Sequence, residues 1–363
     1  MSVAVTGWSV LSAAGVGAPA LAEHLETAGH LETAGLAGRP VTGMYPDPLP
    51  APDGHALVDF DVRAHLGRRG TSFYDRATAL AVVGCQEALR DADLQVDDDN
   101  RTRVGVVLGT TVGSFKSTSD FSRETLVQEK PYLVNPVLFP NTVMNGAAGQ
   151  AAIRFGLQGV NATVAGGSLA FLNAVRYATN AIGRGYVDVM LTGAVEEYTP
   201  HRSWAVHHAG RAVPAGEAAA VFVLSDPRAF TDRRPEAEIL GVATGYGPGG
   251  EASATAALEG VVRRLVRRCG VDPAGVSTVL TGEADPADRR EYQPVVQALG
   301  HRPRRILVNR LLGECDAAGA AVALAALLTM YRKGTLDSGA LSLLTSRSAD
   351  GGVAAAIVRG GEG

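Results

Sequence analysis

The sequence predicts an α/β fold in which strands and helices alternate to build stacked layers, with one unit used twice. The clearest unit is residues 159–197, GVNATVAGGSLAFLNAVRYATNAIGRGYVDVMLTGAVEE. Val160–Val164 is short, apolar and partly β-branched, which is a strand pattern. Ala165-Gly166-Gly167-Ser168 is a run of small residues that lets a backbone turn sharply into a helix. From Leu169, apolar residues recur at Leu172, Val175, Ala178, Ala181 and Ile182 on one helical face, and Arg184-Gly185 marks the stop. Val187–Thr192 then reads as a buried strand. Ser168 falls at the helix N-terminus, where unpaired N–H groups favour a developing anion and a nucleophile would be placed. The second observation is an echo of this unit. GECDAAGAAVALAALLTMYRKG has the same small-residue turn, long apolar helix and closing Arg332-Lys333-Gly334, which suggests an internal duplication. The third is composition: 46% apolar residues, 44 glycines and only 6% aromatics suit a large core of closely packed layers.

The remaining elements follow in order. Ser2–Leu11 reads as a strand opening a core sheet, and residues 28–60, rich in Gly and Pro, as an irregular surface loop. Thr71–Asp93 is an amphipathic helix with Tyr74, Ala77, Leu80, Val83 and Leu89 on one face. Val104–Gly109 is a buried strand. Thr110–Leu138 carries scattered charges and reads as a long irregular insertion, of the kind that serves as a lid or contact surface. Asn141–Phe155 is a helix of mainly small residues, and Ala218–Leu224 a strand. The second half begins near Ala237, with strand Ile239–Thr244, helix Ser253–Arg268 and strand Val276–Leu280. A polar helix over Ala287–Leu299, kinked at Pro294, and strand Arg305–Val308 complete it before the repeated unit.

Composition also excludes classes. A net charge of −4 gives no basic surface for nucleic acid. Cys85, Cys269 and Cys315 are odd in number and form no CxxC pair, so they read as thiols of a reducing compartment, not a disulfide frame or zinc site. The first residues carry no basic leader, and the longest nearly apolar run, Ala317–Met330, is well short of the roughly 20 residues of a membrane span. A cytoplasmic protein with no membrane segment, cofactor or metal is expected.

Several segments, taken in order, resemble the β-ketoacyl synthases over essentially the whole chain. They are VAVTGWSVLSAAGVG, the helix before RVGVVLGT, LFPNTVMNGAAGQAAIRFGLQG, the elbow unit ending DVMLTGAVEE, VPAGEAAAVFVL and GECDAAGAA. The resemblance implies a thiolase-like duplicated α/β/α/β/α layered fold, with halves at 1–235 and 236–363. Ketosynthases extend an acyl chain by decarboxylative condensation. The chemistry needs a Cys thiolate to carry the chain and two His to promote loss of CO₂ and stabilise the enolate. A Lys follows one strand of the same site. On the family pattern the nucleophile position is Ser168, and the first His, of a His-Gly-Thr motif, is replaced by Thr281. In the Lys-x-x-x-Gly-His pattern, Asn309 stands at the Lys and Glu314 at the His. SRSADGG, residues 346–352, replaces the Gly-Phe-Gly gatekeeper loop. Histidines occur at 24, 30, 55, 65, 201, 207, 208 and 301, so none lies between 208 and 301 or beyond.

Gly166-Gly167-Ser168-Leu169-Ala170 approaches the G-x-S-x-G elbow of serine hydrolases, but a serine needs an adjacent base, and no His follows a strand as a triad His would. Ser168 is therefore expected to be structural. His207 and His208 read as solvated or interfacial, and His301 as a turn residue. Glu314 and Asp316 form either a carboxylate pair or, the preferred reading, a charge cap on the following helix.

A full-length ketosynthase fold without its chemistry most resembles the chain-length factor of type II polyketide synthases. The resemblance implies pairing with an active ketosynthase subunit, with an acyl carrier protein engaged through the complex. It also implies that strand Asn161–Val164 pairs across the dimer axis and that Leu138–Gln150 faces the partner's acyl tunnel. Phe115, Phe139, Val143 and Met144 would then set how long a chain fits; ordinary packing is the alternative. Chain-length factors of aromatic polyketides commonly carry Gln at the nucleophile position, so Ser168 leaves room for a branch making reduced, polyene-like chains. Two other functions compete: a serine-based acyl hydrolase or transferase on this scaffold, and a homodimeric acyl-binding protein.

Overall fold

The structure, a computed structural model, describes residues 1–29, 38–211, 213–228 and 234–361. Part of the expected 28–60 loop, His30 included, falls outside the described residues. The principal strands are β1 (Val3–Ser12), β2 (Val104–Thr110), β3 (Asn161–Ala165), β4 (Val189–Glu196), β5 (Ala218–Ser225), β6 (Ala237–Tyr246), β7 (Val276–Leu280), β8 (Arg304–Ile306), β9 (Leu341–Arg347) and β10 (Gly352–Gly360). They form one hydrogen-bonded sheet in the order β8-β7-β9-β10-β6-β1-β5-β4-β2-β3, with the short strand Gly15–Val16 folding back on β1. Counted within each half, both runs read third, second, fourth, fifth, first. In both, the first three of these neighbours are parallel and the fifth strand is antiparallel. The halves meet where β1 pairs antiparallel with β6, Val3 opposite Ile239. The repeat expected from the elbow units is thus present in the strand order itself.

The helices used below are α1 (Ala18–Gly29), α2 (Arg76–Asp91), α3 (Phe115–Val127), α4 (Gly146–Phe155), α5 (Ala170–Gly183), α6 (Pro200–His208), α7 (Glu251–Cys269), α8 (Tyr292–Leu299) and α9 (Gly319–Arg332). α5 and α9, the helices of the two elbow units, share one core with inward residues of both sheet halves, including Trp8, Phe222, Val308 and Leu344. α2 and α4 pack on the other face of the first half, and α7 and α8 on the other face of the second. The result is α/β/α/β/α layering. α9 is buried from Gly319 through Met330, as its position between the two halves of the sheet requires, and this explains an apolar run with no polar face. Gly193 in β4 shows why small residues pervade these layers. A Cβ there would stand 2.4 Å from the Ala220 carbonyl oxygen of β5.

Several sequence expectations need correction. Thr110–Leu138 is not irregular: Ser114 caps α3, its side chain accepting from the Ser117 N–H, and a 3₁₀ turn covers Pro136–Asn141. None of α3 is buried, so it lacks the apolar stripe by which a helix is recognised in sequence. Pro294 does not kink a helix; α8 starts at Tyr292, placing Pro294 in the first turn, where its missing N–H costs nothing. Residues before it are held instead by Asp285, which accepts from the Ala287 N–H, and by Asp288, which accepts from the Arg290 N–H. α4 begins only at Gly146, and α2 spans 76–91 with Asp75 as its cap. Among the described residues, no helix is long and apolar enough to cross a membrane.

Candidate functional site

β3 ends at Ala165 and the chain turns through Gly166 and Gly167 into a 3₁₀ turn, Gly167–Leu169, that leads directly into α5. Gly167 has φ +51°, a left-handed backbone that an L side chain rarely adopts, which accounts for glycine at the bend. Ser168 follows, half-buried, on the wall of a cleft of about 950 Å³. The cleft brings together all four positions singled out above: Ser168, Thr281, Asn309 and Glu314 line it. One arrives from the first half and three from the second. Ser168 comes from the first elbow and Glu314 from the turn before α9, while Thr281 follows β7 and Asn309 the strand β8.

The chemistry of the lining differs from that of a condensing site. Among the described residues, the lining holds no imidazole, thiol or lysine amine. Ser168 Oγ donates to the Arg347 carbonyl oxygen at 2.8 Å, and Ser346 Oγ donates to the Ser168 carbonyl oxygen at 2.5 Å. The serine therefore has a backbone acceptor where a nucleophile would have a base. Thr281 is buried, with the Arg305 Nε–H 3.5 Å from its hydroxyl. Asn309 Nδ2 donates to the Gly282 carbonyl oxygen at 2.8 Å. Burial pushes the Glu314 carboxyl above the usual carboxylate range; neighbouring Asp316 adds to the rise, and Arg211 and Arg202 oppose it.

The floor is a network of buried charges. Arg202, on α6, donates from Nη2 to Asp316 at 2.7 Å and from Nη1 to the Gly216 carbonyl oxygen at 2.6 Å, and its Nε lies 3.6 Å from Glu196. Glu196, at the end of β4, accepts from the Ala317 N–H at 3.3 Å and from the Thr111 hydroxyl. Of the two carboxylates expected at the helix start, Asp316 lies in the first turn of the 3₁₀ helix Asp316–Ala318 and is also turned to Arg202, the Asp316 backbone N–H favours the Glu314 carboxylate, and Glu196 from the other half joins them at the Ala317 N–H. Burial raises the Glu196 carboxyl to about 7, Arg202 opposing. On the far wall, Glu291 accepts from the Gly282 N–H at 2.9 Å and the Thr345 hydroxyl at 2.6 Å, and burial with nearby Glu283 pushes it up to about 7. Glu196 and Glu291 are not marked by the sequence; the one signal for Glu196 is the acidic pair Glu196-Glu197 closing an apolar strand.

The four tunnel candidates lie elsewhere. Phe115, at the start of α3, meets the His201 ring at 5.9 Å, and Phe139 meets Phe121 at 5.9 Å. Val143 and Met144 border a cavity of only about 10 Å³ between α2, α4 and strands β2 and β3. All four are exposed on the molecule as it stands, as are Phe73, Leu126, Val127 and Ile153. His207 and His208 are exposed and pack with Trp204, and His301 Nε2 donates to the Pro273 carbonyl oxygen, 3.0 Å away. Among the described residues, no group of His, Cys, Asp and Glu is arranged to hold a metal.

Comparison with known proteins bears on the family and the fold. Residues 1–227 match the family described as Beta-ketoacyl synthase, N-terminal domain. The 3-oxoacyl-[acyl-carrier-protein] synthase 2 of Staphylococcus aureus (strain N315) is 29% identical over 161 residues, 44% of this chain and 39% of the relative. The match thus spans about two fifths of that enzyme's length. The namesake from Synechocystis sp. (strain ATCC 27184 / PCC 6803 / Kazusa) is 27% identical over 287 residues, 70% of this chain and 68% of the relative. Among solved structures, the ishigamide ketosynthase/chain length factor is 32% identical with a TM-score of 0.86, covering 99% of both chains. A type II PKS acyl-carrier protein in complex with its ketosynthase has a TM-score of 0.81 at 17% identity, which speaks for the fold alone. The chain belongs to the β-ketoacyl synthase family, has its thiolase-like fold, and is similar over its length to the ishigamide ketosynthase/chain length factor.

Proposed function

We propose that this chain is a non-catalytic chain-length-factor subunit that pairs with an active ketosynthase and shapes the acyl tunnel of a type II polyketide synthase. One observation carries the reading: among the described residues, the cleft that holds the elbow is lined by neither imidazole nor thiol nor lysine, and Ser168 Oγ is engaged by a backbone carbonyl. Decarboxylative condensation in this family uses a thiolate to carry the acyl chain and two imidazoles at the enolate, and Thr281, Asn309 and Glu314 supply neither. The 32% identity to the ishigamide ketosynthase/chain length factor supports the same reading, and Ser168 at the nucleophile position leaves room for a polyene-type product. Phe115, Phe139, Val143 and Met144 are exposed, and Val143 and Met144 border a cavity beside β3, an edge strand with one side unpaired; on this reading the four meet a partner and limit the chain it holds. An acyl carrier protein would be engaged through the complex. The halves 1–235 and 236–363 act as one scaffold and no cofactor is required.

Co-expression with a ketosynthase from the same biosynthetic system, followed by size-exclusion chromatography and product analysis, tests the proposal. A one-to-one complex is expected, with condensation that survives Ser168→Ala and with product length altered by Met144→Ala or Phe139→Ala. A homodimer that ignores the ketosynthase and loses an acyl-transfer activity of its own on Ser168→Ala would show a serine enzyme instead.

A further inference from the structure

The hairpin between β9 and β10 lies across the first elbow and is fastened from several sides. Thr345 binds Glu291, and Arg347 forms a bidentate pair with Glu251 at the start of α7, 2.6 and 2.8 Å. The Gly351 carbonyl oxygen accepts from the Gly247 N–H at 2.9 Å. The tie to the elbow differs from these because it is reciprocal. Ser168 gives its hydroxyl proton to the hairpin at the Arg347 carbonyl oxygen, and Ser346 of the hairpin gives its own to the Ser168 carbonyl oxygen. The fit is close: a Cβ on Gly352 would stand 2.5 Å from Leu169 Cδ1. The elbow is also the outlet of β3, the strand at the end of the sheet, whose residues Asn161 and Ala165 are exposed.

We infer that Ser168 and Ser346 form a clamp that locks the hairpin to the elbow and thereby positions the free edge of β3 for the partner subunit. Both hydroxyls donate to carbonyls, so the pair bridges two chain segments 178 and 179 residues apart without a charge. Alanine at either place removes one bond, and alanine at both leaves the elbow joined to the hairpin only by packing. Ser168 is then a positioning residue, which explains a hydroxyl at a place where the cleft offers it no base. The clamp is independent of the proposed function; its consequence for the partner rests on that reading.

Hydrogen exchange on the co-expressed complex, together with the dissociation constant of the two subunits, tests this for Ser168→Ala, Ser346→Ala and the double variant. Thr179→Ala, which removes a hydroxyl bond within α5, serves as the control. Amides of 166–170 and 346–352 should exchange about five-fold faster in each single variant, the effect of one ordinary hydrogen bond, and faster still in the double variant. The dissociation constant should rise by a similar factor in the clamp variants and stay unchanged in the control. Unchanged exchange would overturn the clamp. Faster exchange with an unchanged dissociation constant would overturn its positioning role and leave an internal tie. If no heterodimer forms, the proposed function fails, and exchange in the chain alone still decides whether the clamp exists.

Discussion

Arg202 is the residue whose loss the site would feel most. Its guanidinium is buried and serves Asp316, the Gly216 carbonyl oxygen and, at longer range, Glu196. Replacing it with Ala strands two carboxylates in a poorly solvated floor, and breaking such a pair from one side costs about 3–5 kcal/mol. Denaturant unfolding of Arg202→Ala should show that loss, whereas Arg202→Ala/Glu196→Gln should recover part of it. The raised carboxyls give a pH signature. Glu291 and Glu196 sit near 7 in the folded chain against an unperturbed 4.5, so between those values the folded protein holds protons that the unfolded chain has released. Stability should therefore be greatest at the acidic end of that window, fall as pH rises through it, and level off above. Thermal midpoints of the native chain should drop from pH 5 to 7.5, and Glu291→Gln should flatten that drop.

At the scale of elements, close approach of backbones decides which substitutions are tolerated. Gly193→Ala forces a methyl against the Ala220 carbonyl oxygen in the middle of the first half-sheet, so β4 and β5 must part. Overpacking of this kind costs about 1–3 kcal/mol, and a lowered thermal midpoint would register it. Elements with a strong periodic signature were legible in the sequence: α5, α9 and the buried strands β1, β2, β4 and β5 appear within a few residues of where the pattern placed them. α3 was not, because its apolar residues face outward and an exposed helix with scattered charges looks like a loop. The site was half legible. Ser168, Thr281, Asn309 and Glu314 were reachable because a family resemblance fixes their positions, and all four line one cleft. Glu196 and Glu291 were not, and neither was the pairing of Arg202 with Glu196 and Asp316, which depends on how two halves of the chain fold together and leaves no local pattern.

For the molecule as a whole, the distribution of exposed apolar surface matters most. Leu126 is 84% exposed, Ile153 75% and Tyr132 72%, and the tunnel candidates are exposed in the same stretch of chain between 115 and 155. Soluble monomers seldom leave so many large apolar side chains uncovered in one stretch, and such surface usually marks an interface. The chain expressed alone should aggregate or yield poorly, and sedimentation should show it becoming monodisperse only with its partner. The central claim is that this cleft carries no acyl group in the catalytic cycle. Intact-mass analysis of the complex after incubation with an acyl-carrier thioester reads that directly. A silent subunit keeps its unmodified mass while the ketosynthase gains the acyl group. An acyl adduct on this chain, mapped to Ser168 and lost in Ser168→Ala, would contradict it.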